Sequence, residues 1–169
     1  NSQWYDLGTG IGTSKTFTIS NDLLSQLPSA TNGILQLCVR TYNGSTQIGS
    51  DVYKNVTVYV NNNVVPKVGT ITLTPQTYSQ LIQGKNKVTV GVSGCSAGTG
   101  SSIKSYTFSG PGLSTTTTST SATSGIISST GALTYTVTVT DNRGRTVSGT
   151  KTITCYPYSA PYIKSFSVY

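Results

Sequence analysis

Residues 133–158 read L-T-Y-T-V-T-V-T-D-N-R-G-R-T-V-S-G-T-K-T-I-T-C-Y-P-Y, and their periodicity decides the fold. Leu133, Tyr135, Val137 and Val139 alternate with threonines. That period of two sets one face of a strand in a core and the other in water. Asp141-Asn142-Arg143-Gly144 supplies residues that tolerate positive φ in a turn. Val147, Ile153 and Cys155 then give the return strand its inward side. The stretch is a long antiparallel hairpin.

The hairpin recurs upstream. Residues 33–42 read G-I-L-Q-L-C-V-R-T-Y, residues 43–49 N-G-S-T-Q-I-G, and residues 56–60 V-T-V-Y-V. A second repeat runs in phase with it: P-K-V-G-T-I-T-L from Pro66 parallels P-Y-I-K-S-F-S-V from Pro161, 95 residues on. Val68, Ile71 and Leu73 match Ile163, Phe166 and Val168. A period of that size suits an immunoglobulin-type sandwich. The expected fold is therefore all-β, as tandem immunoglobulin-like antiparallel β-sandwich domains. Residues 1–63 are expected to hold an N-terminally incomplete domain, 64–158 a complete one, and 159–169 the first strand of a third.

Composition supports the class. The chain has 24 serines, 30 threonines and 18 glycines, but no glutamate, histidine or methionine. Threonine and tyrosine favour pleated surfaces, whereas glutamate and methionine lead the helix formers. The missing methionine marks Asn1 as something other than a translation start, so the sequence reads as a segment of a longer polypeptide. The complete domain offers seven strand candidates, at 68–74, 85–93, 103–109, 113–120, 123–128, 133–140 and 146–156. The Ser/Thr-rich run 114–124 reads as a polar edge strand and loop.

Upstream, Trp4-Tyr5, a Gly/Thr loop and T-F-T-I at 16–19 read as strand, loop and strand, with Trp4 assigned to a core. Ser20-Asn21-Asp22 reads as the cap of one short helical turn over Leu23 and Leu24, stopped by Pro28. The linkers at 63–66 and 159–161 are short and contain proline, which should hold neighbouring units with limited bending. Tyr156, Tyr158 and Tyr162 flank the second linker. Packing across the joint is the favoured reading for them; an exposed aromatic patch for a ligand is the other.

A search for chemistry returns little. Without histidine, Ser-His and Cys-His activation are excluded. Asp6, Asp22, Asp51 and Asp141 are the only acidic residues, and a helix start, a hairpin return and a turn account for Asp22, Asp51 and Asp141 in that order. Neither a zinc nor a calcium ligand set is present. The glycine strings lack the strand-to-helix setting of a phosphate loop. Asn43-Gly44-Ser45 and Asn55-Val56-Thr57 match the N-glycosylation pattern. The formal charge of +7 is scattered, its closest pairs being Lys85/Lys87 and Arg143/Arg145. It reads as solubility and weak attraction to anionic surfaces rather than nucleic-acid recognition. Cys155 shares parity with Ile153 and should face the core. Cys38, in phase with Gln36 and Arg40, should be the more exposed. With Cys95 they form no shared disulfide framework, which points to folding in a reducing cytoplasm. No apolar run approaches 18 residues and no signal peptide is visible.

The pieces W-Y-D-L-G-T-G-I-G-T-S, L-P-S-A-T-N-G, Y-N-G-S-T-Q-I-G-S, V-V-P-K-V-G, L-I-Q-G-K-N-K-V, S-S-I-K-S-Y-T-F-S-G, V-T-D-N-R-G-R-T-V-S and Y-S-A-P-Y-I cover nearly the whole chain. In this order they resemble the minor structural proteins of siphoviruses, tail-associated proteins of phages that infect Gram-positive bacteria. The resemblance implies a virion component at the tail tip or fibre, assembled in the host cytoplasm and built of immunoglobulin-like repeats. It carries over no catalytic residue. The expected function is a non-enzymatic, stiff β-sandwich spacer without cofactor or metal. The alternatives are a module that binds a bacterial surface glycan or receptor, and an adhesin stalk. Other tail proteins are the implied partners, with a surface glycan and further copies of the chain as additional candidates; nucleic acid and membrane are not expected.

Overall fold

The computed structural model describes residues 4–11, 14–16 and 20–167. It is all-β apart from one short 3-10 helix, Asn21–Gln26. Ten strands follow among the described residues: β1 Asn32–Asn43, β2 Thr46–Tyr59, β3 Thr70–Pro75, β4 Leu81–Ile82, β5 Val88–Ser93, β6 Ile103–Gly110, β7 Leu113–Thr117, β8 Ser121–Thr123, β9 Gly131–Asp141 and β10 Thr146–Tyr156. β1 and β2 pair as a hairpin. β3, β5 and β8 form one sheet in that order, and β4, β10, β9, β6 and β7 form another.

The stretch read first is β9 and β10, with Val139 opposite Val147 and Leu133 opposite Ile153. Its inward residues meet the three-stranded sheet. Leu133, Tyr135, Val137, Val139, Tyr106, Phe108 and Cys155 pack with Ile71, Val88, Val90 and Val92. Tyr135 is fully buried, and its hydroxyl donates to the carbonyl of Pro111 at 3.0 Å. The outward residues explain the wealth of hydroxyls. Thr107 and Thr116, Thr134 and Thr152, and Thr138 and Ser148 pair across strands at 2.7 to 3.0 Å, the sheet's counterpart of helix side-chain pairs. Two buried polar residues tie loops to the core. Ser124 Oγ accepts from Val88 N at 2.8 Å, and Asn86 Oδ1 accepts from Ile82 N at 3.2 Å.

Between residues 70 and 156 the seven expected strands become eight. The addition, β4, joins Leu81 and Ile82 in parallel to Cys155 and Tyr156; two residues carry no periodicity to read. The Ser/Thr run, expected as one edge strand and a loop, supplies two edges, β7 on the larger sheet and β8 on the smaller. Of the stretch expected as a strand over 123–128 only Thr123 is in β8, while Ile127 reaches the core from a loop.

In residues 1–63, expected to hold an N-terminally incomplete sandwich, the described residues form one sheet, the β1–β2 hairpin. Val39, Val52 and Val56, on its apolar face, remain exposed. Trp4 is 64% exposed rather than in a core, because residues 4–11 join no sheet that could cover it. Of the strand expected at 16–19, Phe17, Thr18 and Ile19 lie outside the described residues. The helical turn is present, with Ser20 Oγ accepting from Asp22 N at 3.2 Å. At the other end, residues 159–167 form no strand, since an extended segment becomes one only against a neighbouring backbone. Val168 lies outside the described residues. Cys155 is buried as expected; Cys38 and Cys95 are both half-buried, and all three are free thiols.

A polar cluster fixes the hairpin where its register shifts between Val39 and Thr41. Asp51 accepts from Arg40 Nε and Nη2 at 3.0 and 2.8 Å, from Gln47 Nε2 at 2.8 Å and from the Tyr53 hydroxyl at 3.0 Å. Arg40, then Gln47 and Tyr53, hold the Asp51 carboxyl well below the usual carboxylate range. A depressed carboxyl stabilises the fold above the unfolded pKa, about 3.9, and ceases to do so as pH falls through the folded value. The protection of amides in residues 38–53, relative to intrinsic exchange at each pH, should therefore stay constant from neutral pH to about pH 4 and fall only in stronger acid. Asp51→Asn should lower it at neutral pH and remove the acid step.

Candidate functional site: an arginine-bridged joint

The turn between β9 and β10 does more than reverse the chain. Asp141 is fully buried at the end of β9. Its Oδ1 accepts from the backbone N–H groups of both Arg143 and Arg145 at 3.0 Å, and the Gly144 N–H closes the turn on the Asp141 carbonyl at 2.9 Å. Asn142 binds the turn sideways to Ser102, through its backbone N–H at 2.9 Å and its side chain at 2.7 Å. The carboxylate thus fixes the backbone from which both guanidiniums project.

Each guanidinium then spans three carbonyls. Arg143, only 8% exposed, donates Nε to Leu27 O, Nη1 to Thr99 O and Nη2 to Leu24 O, all at 2.8 Å. Arg145 donates Nη1 to Val64 O at 2.7 Å and to Asn61 O, and Nη2 to Val60 O at 2.8 Å. Five of these six carbonyls belong to the segments that lead into and out of the β1–β2 hairpin. Leu24 lies in the last turn of the 3-10 helix, where its carbonyl also accepts from the Leu27 N–H at 3.1 Å, and Leu27 is the C-cap; a cation is favoured at such an end. Only a planar fork of N–H donors serves three acceptors this way. Ser101 Oγ adds a bond to Pro28 O at 2.6 Å.

Close approach at the joint depends on two glycines. A Cβ on Gly98 would lie 2.9 Å from Val64 O and 3.1 Å from Asp141 Oδ2. One on Gly100, whose φ is +76°, would overlap the backbone of Leu24. Gly100→Ala should therefore separate the helix from the 98–102 loop and speed amide exchange in residues 20–31. The melting temperature of the core strands should move far less than the exchange of residues 20–31.

Tyr156, Tyr158 and Tyr162 do not pack together; among the described residues no ring contact joins them. Tyr156 and Tyr158 are about half exposed at the far end of β10, and Tyr162 is 82% exposed. Lys85 Nζ sits 4.5 Å from the Tyr158 ring centroid, a cation on the negative face of an aromatic. Arg143 and Arg145 hold the joint at the first linker; the tyrosines flank the second. In the sequence the arginine pair reads as part of the scattered charge of solubility. Its signal was Asp141 two and four residues before two arginines within a single tight turn.

The family model for siphovirus protein of unknown function (DUF859) matches residues 1–169. The chain belongs to this siphovirus family. No curated protein matches it. Membership argues for a structural role in the phage and for contact with other virion proteins. Among the described residues of this siphovirus protein, no helix is long and apolar enough to cross a membrane.

Proposed function

We propose that the siphovirus protein is a non-enzymatic, stiff spacer in a tail appendage, built from consecutive immunoglobulin-like sandwiches. The observation that carries this reading is the bridging of six backbone carbonyls by Arg143 and Arg145. A free linker leaves its carbonyls to water. Here they are held by side chains that are themselves locked by a buried carboxylate, so bending the joint breaks several charge-assisted bonds together. The strand order of the two sheets, with β4 beside β10 and β3 in the opposite sheet, supports the immunoglobulin-like reading. In the same reading, β1 and β2 are the closing pair of a preceding sandwich, whose remaining strands would cover Val39, Val52 and Val56. Residues 161–169 open the next.

Antibodies raised against residues 66–158 test the placement. Imaging of labelled particles is expected to show density on the tail appendage; label on the head, or none on intact particles, overturns it. The exposed Tyr156 and Tyr158 beside Lys85 favour a second reading, recognition of a wall glycan. Pull-down by host cell wall that Tyr158→Ala abolishes would put that reading first.

A further inference from the structure

β10 has a long free backbone edge. β9 pairs with it along residues 146–155, whereas on its other side β4 meets only Cys155 and Tyr156. In an antiparallel ladder, residues that bond the neighbour alternate with residues whose backbone faces away. The phase is fixed at both ends of β10. Asp141 N donates to Arg145 O on the β9 side, and Gln83 N donates to Tyr156 O on the β4 side. Odd-numbered residues therefore turn their N–H and C=O groups to β9, and those of Thr146, Ser148, Thr150 and Thr152 point away from it. Among the described residues no backbone group bonds these four from that side. Free edges are ordinarily guarded by proline, a bulge or a charge. This one keeps an unbroken register, and its solvent-facing row of threonines and serine carries no charge. Its single lysine, Lys151, is tied back, with Nζ donating to Ile71 O of the same sandwich at 2.9 Å. Beside the edge the two sheets part, leaving an open groove of about 590 Å³ between residues 147–151 and residues 65–71.

We infer that the free edge of β10 is a docking surface for a second copy of this chain, whose own β10 pairs with it antiparallel about a two-fold axis at Gly149. A second copy fits because the edge is complementary to itself. The axis sets Thr146 opposite Thr152 of the second copy and Ser148 opposite Thr150 of the second copy. Each outward N–H of one copy then meets an outward C=O of the other. Hydroxyl faces hydroxyl on the solvent side, the pairing the sandwich already uses at Thr134 and Thr152 and at Thr138 and Ser148. On the inner side Lys151 lies opposite Val147, not opposite another lysine, and Val147 of each copy extends over the groove of the other. Such an isologous contact closes at two copies. It also gathers Lys67 and Lys151 from both copies around a groove lined by no acidic residue. Added salt screens that repulsion, so pairing should tighten as ionic strength rises. The inference is independent of the tandem-repeat reading above.

The test follows the full 169-residue chain through a concentration series by sedimentation and amide exchange. The seam is short, so association is expected at roughly micromolar to millimolar protein, with the mean mass rising towards that of a dimer. The amides of Thr146, Ser148, Thr150 and Thr152 should gain protection as it rises, while those of Val147, Gly149 and Lys151 are protected throughout by β9. In a mixture of labelled and unlabelled chains, Gly149 Hα should show a cross-relaxation peak to Gly149 of the second copy. Thr150→Pro removes an N–H that bonds nothing within the sandwich, and proline is tolerated at such a place on an edge. Losing one bond from each copy should weaken association roughly tenfold or more. If that variant loses the β9–β10 protection, Thr150→Lys serves instead, setting a charge in the seam of both copies. A chain that stays monomeric overturns the inference. So does association that leaves the four outward amides unprotected, that Thr150→Lys does not weaken, or that loosens as salt is added.

Discussion

Replacing Arg143 and Arg145 together with alanine is expected to release residues 20–64 from the sandwich while leaving the sandwich folded. The substitution strips donors from six carbonyls. Hydrogen bonds to charged groups contribute roughly 1.5–3 kcal/mol each but do not add fully when shared by one side chain, so the docked state should lose about 3 kcal/mol. That is on the order of 100-fold in the docking equilibrium, and amide exchange in residues 20–31 and 60–64 should speed by a similar factor. Neither arginine belongs to the cluster of Tyr135, Phe108 and the valines, so the melting transition of the core strands should shift little. Arg143→Lys should fall between, since one ammonium has no planar fork to reach Leu24, Leu27 and Thr99 at once. Unchanged exchange in the double variant would mean that the carbonyls find water without cost and that the bridge is ornamental.

Phe108→Ala is expected to act in the opposite place and with the larger effect on stability. Phe108 is fully buried on β6, opposite Val137 of β9, with its ring centroid 6.4 Å from that of Tyr106. Truncating a buried phenylalanine costs about 3–5 kcal/mol, against a total of roughly 5–15 kcal/mol for a domain. The melting temperature should fall by about 15–30 °C. Because the turn that holds the joint closes β9 and β10, residues 20–31 should lose protection in the same transition. The two variants therefore separate docking from folding: one opens the joint on an intact sandwich, the other removes both at once.

The strands were legible in the sequence wherever burial is one-sided. Leu133, Tyr135, Val137 and Val139 gave β9 without ambiguity because threonine fills every alternate place. Edge strand β7 was legible from its polarity, whereas β8 shares only Thr123 with the strand expected over 123–128. What could not be read was anything set by distance along the chain. Trp4 looked like a core residue because its type suits a core, but burial needs an opposing sheet and none lies over residues 4–11. The apolar face of β1 and β2 carries the same period as that of β9 and β10, yet one is covered and the other is open. The joint was missed for a related reason. Arg143 and Arg145 have the composition of a solvated turn, and their partners are backbone carbonyls 44 to 119 residues away, which no side-chain pattern reveals. Asp141 was the legible clue, since a carboxylate at the first position of a turn commonly accepts from the N–H groups that follow it.

Residual dipolar couplings on the 169-residue chain bear most directly on stiffness. Couplings from β1 and β2 and couplings from β3 to β10 should fit a single alignment tensor, with equal order in the two sets. A hairpin whose order is well below that of the sandwich in the unmutated protein would contradict a rigid joint, and with it the spacer.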